Sequence, residues 1–485
     1  MSIYRNHLPI MGASGQSTGP YQINQSIRFD QSENAYLKRT PSDAGNRRTW
    51  TWSGWLKHSD QSTNGYHNIW SVRSGANDYF EIAKLVNNNA SSTVNVMDII
   101  SKVSNSTILR LVSNRDFRDH SAWYHYVFVL DTTNSTSSER VRFYVNGLRE
   151  TTFSTETYPA QNHDTYVNTT NEHQIGAYNG GSGYMMDGYM AEINFIDGYA
   201  YGPEYFGEFN ASNIWIPKEY TGTYGTNGFY ITGETDSDLG ANKASGNTFA
   251  TYASSGMGTH DKVLDSPTNN FVTLNPMDAD GLTHGELTGG MLETTVNTID
   301  YIRQTVPFPT SGKWYWEVCT VSKTQSNWNY VNHTFLDVLS ERGTETDYVK
   351  TNWYHGSNFG SSSNWTDGDF WTNSNEPSAG DVFGFAWDSD NKKLWLAKNN
   401  TYYGSGNPAG NSGTPLASGG TAGVEYTVEM YSAQSQVMTM NYGQDSSFNG
   451  AKTRQNNQDG NNVGDFYYAP PSGFLALCTS NLGAE

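Results

Sequence analysis

Charge is scarce in this chain of 485 residues, and what there is leans acidic: Asp, Glu, Lys and Arg make up 16%, with 29 Lys+Arg against 48 Asp+Glu and a formal net charge of −19. No basic run interrupts that balance. A surface of this sign repels nucleic-acid phosphates and anionic lipid, which excludes sequence-independent nucleic-acid binding and docking onto a membrane by charge attraction, and leaves neutral sugars open. Long apolar runs are missing too. No stretch approaches the ~18 apolar residues of a spanning helix, and Met1–Pro20 has no charged-then-apolar leader pattern, so the chain is expected to be neither anchored nor exported by a signal peptide. Cysteine is reduced to Cys319 and Cys478, which excludes a disulfide framework and a cysteine metal site. Both lie in apolar runs and are expected as buried free thiols. Helical periodicity is nearly absent.

Aromatic residues are abundant, with 14 Trp, 32 Tyr and 21 Phe in clusters such as Trp50-Thr51-Trp52-Ser53-Gly54-Trp55 and Trp314-Tyr315-Trp316. Disordered chains are poor in such residues. Short runs of period two, bounded by Gly, Asn, Asp and Ser about every ten residues, predict an all-β chain. Residues 1–20 read as an N-terminal arm, 21–205 as one β-sandwich, 206–270 as a connecting segment of weak pattern, free or packed on one of the domains, and 271–485 as a second sandwich. Asn146-Gly147, after Val141-Arg142-Phe143-Tyr144-Val145, is a strong hairpin signal.

Four blocks in order give the first unit its resemblance to a laminin-G-like, concanavalin-A-like jelly roll: Trp50 to Leu56; Trp123-Tyr124-His125-Tyr126-Val127; Val141 to Gly147; and Ile175-Gly176 followed by Met186-Asp187-Gly188-Tyr189. The second unit resembles a SPRY-type sandwich through Ser311-Gly312-Lys313-Trp314-Tyr315-Trp316-Glu317-Val318, Asp381-Val382-Phe383-Gly384-Phe385-Ala386-Trp387-Asp388 and Lys393-Leu394-Trp395-Leu396. One departure is Asn399-Asn400, where that family usually has Asn-Gly. The whole chain, with Ser26-Ile27-Arg28-Phe29 and Ala35-Tyr36-Leu37-Lys38-Arg39-Thr40-Pro41 ahead of the first domain, resembles virion structural proteins of marine tailed phages. That resemblance implies a tail-fibre or surface adhesin of the virion, binding host glycan or protein without catalysis. It implies an arm that docks into other virion proteins, and a homo-oligomer, taken as a trimer. The rival readings are a capsid or tail decoration protein and a polysaccharide depolymerase.

Catalysis finds little support in the residues. Glycoside hydrolysis needs two carboxyl groups roughly 5–10 Å apart. Glu234 and Asp236 lie in the weakly patterned segment, and Glu192 and Asp197, five apart, fall on opposite faces of an extended strand. His163 and His173 flank a polar loop without a third ligand and are expected at the surface. No cofactor is expected, with calcium the optional exception: laminin-G-like folds often hold it with a loop aspartate, and Asp187 is the matching residue. The alternative is that Asp187 opens an Asp-Gly turn. Sugar recognition uses flat aromatic faces with polar groups that fix hydroxyls. The candidate set for it is Trp353, Tyr354, Trp365, Asp367, Asp369 and Trp371 in one Gly/Ser/Asn-rich stretch, with Tyr402 and Tyr403 as a second group. The same aromatics would alternatively pin their loops to the sandwich or to a neighbouring subunit.

Overall fold

A computed structural model describes residues 21–483 except 60–64, 90–91, 182–183, 247–248, 250, 277–285, 297–299, 324–329, 339–346, 353–358, 362–364, 368–376 and 434–435. The described residues are nearly all-β and divide into two compact units, 21–269 and 270–483.

The strands of the first unit are β1 (Ser26–Phe29), β2 (Tyr36–Arg39), β3 (Thr49–His58), β4 (Gly65–Gly75), β5 (Asp78–Asn89), β6 (Ser92–Val103), β7 (Ser106–Ser113), β8 (Tyr124–Asp131), β9 (Val141–Val145), β10 (Leu148–Arg149), β11 (Phe153–Thr157), β12 (His173–Ile175), β13 (Gly188–Asp197), β14 (Gly207–Phe209), β15 (Trp215–Pro217), β16 (Phe229–Ile231), β17 (Ala253–Ser255) and β18 (Lys262–Val263). All but β14 and β15, which pair with each other, form two antiparallel sheets. One runs β10-β9-β8-β3-β13-β1-β18, with β16 also on β13; the other runs β11-β7-β6-β5-β4-β12-β2-β17.

Parity explains the core. In β3, Trp50, Trp52 and Leu56 point inward and are fully buried, while Thr51, Ser53, Trp55 and Lys57 take the outer face. Gly54 falls on the inner side beneath the Trp52 ring, where a Cβ would lie 2.7 Å from the indole. Trp50 meets Trp70 and Phe80 edge-on at 5.6 and 5.5 Å, and Phe128 stacks on Phe143 at 4.7 Å. Truncating a tryptophan packed in this way costs about 3–5 kcal/mol.

Asn146-Gly147 makes the expected tight turn, with φ of 48° and 78°, and pairs Val145 with Leu148. Asp187-Gly188 does not turn. Gly188 is the first residue of β13, at φ 139°, and is pressed so closely on β3 that a Cβ would stand 2.2 Å from the Lys57 carbonyl oxygen. The glycine serves close strand approach rather than reversal.

Segment 206–270, expected as a connector, is built into the first unit as far as Asn269. β16, β17 and β18 add to β13, β2 and β1, and the stretch from Tyr199 to Tyr224 covers the outer face of the first sheet. Phe206, Tyr220 and Tyr224 pack on Val127, Val129 and Ile196, and Trp215 packs beside Trp55 and Trp123. The sheet's outward valines and tryptophans need such a cover, and weak period two in a segment of short, separate contacts hides the role from the sequence.

In the second unit a larger sheet has Lys313–Lys323 at its centre, between Gln436–Asn441 and Val382–Asp388. A five-stranded sheet centres on Tyr330–Asp337 and Tyr426–Ala433. Trp316 stacks on Phe385 at 5.2 Å, and Phe335 on Tyr426 at 5.0 Å. Asn399-Asn400 closes its hairpin without glycine, at φ 48° and 64°, because asparagine tolerates the left-handed region. Cys319 and Cys478 are buried and unpaired with one another.

Candidate ligand-binding face of the first unit

The outer face of the second sheet carries a set of polar and aromatic side chains that reaches solvent. Register sets them in rows across the strands. Arg73 on β4 lies opposite Tyr79 on β5, and Tyr79 opposite Lys102 on β6. The next row places Ser71, Glu81, Ile100 and Arg110 side by side on β4 to β7. From the loop after β12, Tyr178 and Tyr184 lean onto these rows.

The tyrosines touch in a chain: Tyr66 meets Tyr184 at 5.8 Å, Tyr184 meets Tyr178 at 6.0 Å, and Tyr178 meets Tyr79 at 6.1 Å. Tyr184 is 50% exposed, and Tyr66, Tyr79 and Tyr178 are half-buried. The Arg73 guanidinium lies over the Tyr178 ring at 4.5 Å, and the Lys102 ammonium lies 5.9 Å from the Tyr79 ring. Rings with one solvated side beside fixed polar groups are what stacking on a sugar requires.

Two carboxyl groups share this face and differ in state. Arg110 Nη2 donates to Asp98 Oδ2 at 2.9 Å. Burial raises the Asp98 carboxyl, and Arg110 draws it back. Glu81, 7% exposed, is pushed up to about 7, chiefly by burial; Arg73 opposes the shift and Asp98 adds to it, while Tyr178 hydrogen-bonds the carboxyl. Glu81 therefore changes charge near neutrality.

A second polar cluster lies under the cover of the first sheet. Ser53, Trp55, His125, Glu192 and Asn194 surround a small gap with Phe206, Pro217 and Lys218. Glu192 sits at φ 53° in a bulge of β13, between the residues paired with Trp55 and Ser53. Tyr21 and Tyr230 both donate to its carboxylate at 2.7 Å, and burial pushes Glu192 up to about 7. Ser53 Oγ lies 2.9 Å from His125 Nε2, a contact that suggests a nucleophile and base. Trp215 Nε1 donates to His125 Nδ1 at 3.1 Å, however, and an indole N–H can only donate. The neutral ring therefore carries its proton on Nε2, facing Ser53, and cannot accept one from it. Burial holds His125 down to about 3, so the ring stays neutral.

The residues singled out in the sequence are distributed differently. Trp353, Tyr354, Asp369 and Trp371 lie outside the described residues. Trp365 and Asp367 belong to the strand Trp365–Asp367, which pairs with Ala417–Gly419. Tyr402 pairs with Ala397, and Tyr403, half-buried, packs against the core of the second unit. Asp187 is buried, and its carbonyl accepts from Ser59 N at 3.1 Å. Glu234 and Asp236 are held by Lys243 at 3.2 Å and Lys262 at 2.7 Å. His173, expected at the surface, is buried: its Nε2 accepts from Asn168 N at 2.9 Å, and burial holds it down to about 4. Glu33, His260 and Asp261 form a cluster of metal-ligand types. Arg28 already stands 3.3 Å from Asp261 there.

Residues 31–200, which contain nearly all of these rows, match the family described as the Concanavalin A-like lectin/glucanases superfamily. That match covers about a third of the chain and makes this part of the first unit similar to concanavalin-A-like domains. No curated protein matches the chain. Among solved structures, the SPRY domain of human HERC1 is 14% identical and covers 34% of this chain and 96% of its own, with a TM-score of 0.25. Domains LG4-5 of the mouse laminin alpha1 chain are 8% identical over 87% of this chain and 91% of theirs, at 0.28. The enzymatically active domain of tailspike protein 2 from bacteriophage CBA120 is 12% identical over 39% of this chain and 31% of its own, at 0.27.

Proposed function

We propose that the protein is a non-catalytic adhesin that binds host-surface glycan through the outer face of the second sheet of its first unit. One observation carries the reading: four tyrosines in a contact chain, Tyr184 exposed and the other three half-buried, flanked by Arg73, Lys102 and a carboxyl group that can donate as well as accept. The full-length resemblance to phage virion proteins supports placing the adhesin on a particle. There the N-terminal arm docks into other virion proteins, and several copies, three in the simplest case, raise weak affinities by avidity. The unreactive tautomer of His125 and the lysine partners of Glu234 and Asp236 favour binding over turnover. A purely structural role in particle decoration has its own support in exposed Tyr199, Tyr205 and Phe209, which suit a subunit contact.

The test is binding of the full chain to purified host-surface polysaccharide by calorimetry. Tyr178→Ala and Tyr79→Ala are expected to weaken binding about tenfold each, the scale of one lost stacking contact of 1–1.5 kcal/mol. Binding that survives both and disappears with Trp365→Ala would move the site to the second unit.

A further inference from the structure

A chain of net charge −19 is a poor place to look for clustered cations, yet the proposed face carries four. Lys38, Arg73, Lys102 and Arg110 all stand on its outward positions, since Lys38 is paired to Gln174 and Gln174 to Ser71 in the same row as Glu81. Three of the nearby acids, Asp98, Glu172 and Asp78, are already engaged. Asp98 is taken by Arg110, Lys38 has Glu172 at 4.0 Å, and Asp78 accepts from Ser104 N at 2.8 Å and Tyr166 Oη at 2.8 Å. Among the described residues, Arg73 and Lys102 form no ion pair within 4.0 Å. Each is instead laid over a tyrosine ring, and Arg73 Nε donates to the Gly75 carbonyl at 3.0 Å.

We propose that this face selects an acidic saccharide, whose carboxylate sits between Arg73 and Lys102 while its ring lies along Tyr178 and Tyr79. The inference rests on the glycan reading above and adds the charge of the ligand. Three adjacent strands place the Arg73 and Lys102 backbones about 10 Å apart, with the Tyr79 ring between them. Arginine offers a planar fork and lysine a mobile point charge, so the pair can follow a carboxylate on a sugar whose orientation the rings set. Glu81, neighbour to both cations, subtracts from their field only when ionised.

The probes are a galacturonic acid tetrasaccharide and the neutral galactose tetrasaccharide of the same linkage, titrated into the full chain at pH 6. The expected result is at least tenfold tighter binding of the acidic probe. Arg73→Gln with Lys102→Gln removes that preference, with the thermal unfolding midpoint reporting that the fold is kept. Equal affinity for the two probes overturns the charge inference while the glycan reading stands. Absence of binding to either probe, with Tyr178→Ala silent against host polysaccharide, overturns both. Equal binding of polyglutamate overturns the inference as well, because it would show attraction to any polyanion.

Discussion

Arg28 on β1 and Asp261 ahead of β18 are both fully buried, 3.3 Å apart, and they tie the end of segment 206–269 to the first strand of the sandwich. Replacing Arg28 by Met keeps the volume and strands the carboxylate. Burial already raises Asp261, and Arg28 is the largest influence holding it down. Breaking such a pair costs about 3–5 kcal/mol. Protonation caps the loss: converting an aspartate of unfolded pKa about 3.9 to the neutral acid at pH 7 costs about 4 kcal/mol, at 1.36 kcal/mol per unit. The sign follows from a folded pKa above the unfolded one. The penalty is greatest at high pH and shrinks as pH falls toward 3.9, so R28M loses at most about 4 kcal/mol at pH 7 and at most about 1.5 at pH 5. His260, whose Nε2 lies 3.5 Å from Asp261 Oδ2 and which Glu33 raises, gains charge over the same range and works in the same direction. Hydrogen exchange of the Ser26–Phe29 amides in the full chain reads the loss for this unit alone. R28M with D261N should regain most of it. A loss below 1 kcal/mol at pH 7, or one unchanged between pH 5 and 8, would refute the stranded-carboxylate argument.

Binding of the acidic tetrasaccharide should weaken as pH rises from 6 to 8, because Glu81, near 7 and facing Arg73, Lys102, Asp98, Tyr79 and Tyr178, then becomes anionic; Glu81→Gln should flatten the calorimetric profile. Cys319 and Cys478 should not react with a thiol reagent at pH 8 until the second unit unfolds, since both are buried and the Cys319 thiol is pushed up to about 12; prompt labelling of both would contradict the described core. Asn400→Gly should leave the stability of the second unit within about 0.5 kcal/mol in urea unfolding, because asparagine already accepts φ of 64° and the freedom glycine gains there is offset by its larger unfolded-chain entropy. A larger destabilisation would mean that the asparagine side chain holds the turn.

Much of the fold was legible because period two is a local property. Trp50, Trp52, Trp316 and Phe385 announce strands and an inward face wherever they sit, and Asn146-Gly147 announces a turn from its own dihedral preference. The role of 206–269 was not legible, since Tyr220, Tyr224 and Trp215 are recognisable as a cover only beside Val127, Ile196 and Trp55. The proposed face was missed for a related reason. Tyr66 and Tyr79 lie at outward positions of their strands, a signal present in the sequence. Their joining to Tyr178 and Tyr184, about a hundred residues later, depends on how β4, β5 and β12 pair.

The sequence by itself determined an all-β chain of aromatic cores, reduced buried cysteines and an acidic surface, because alternation, turn chemistry and composition act over a few residues. Only the tertiary structure decided which sheet face is covered, that Gly188 serves close packing rather than a turn, and that Arg73, Tyr79 and Lys102 share one row. Register is a hydrogen-bond relation between distant strands, and a slip of one residue would send the same side chains to the opposite face.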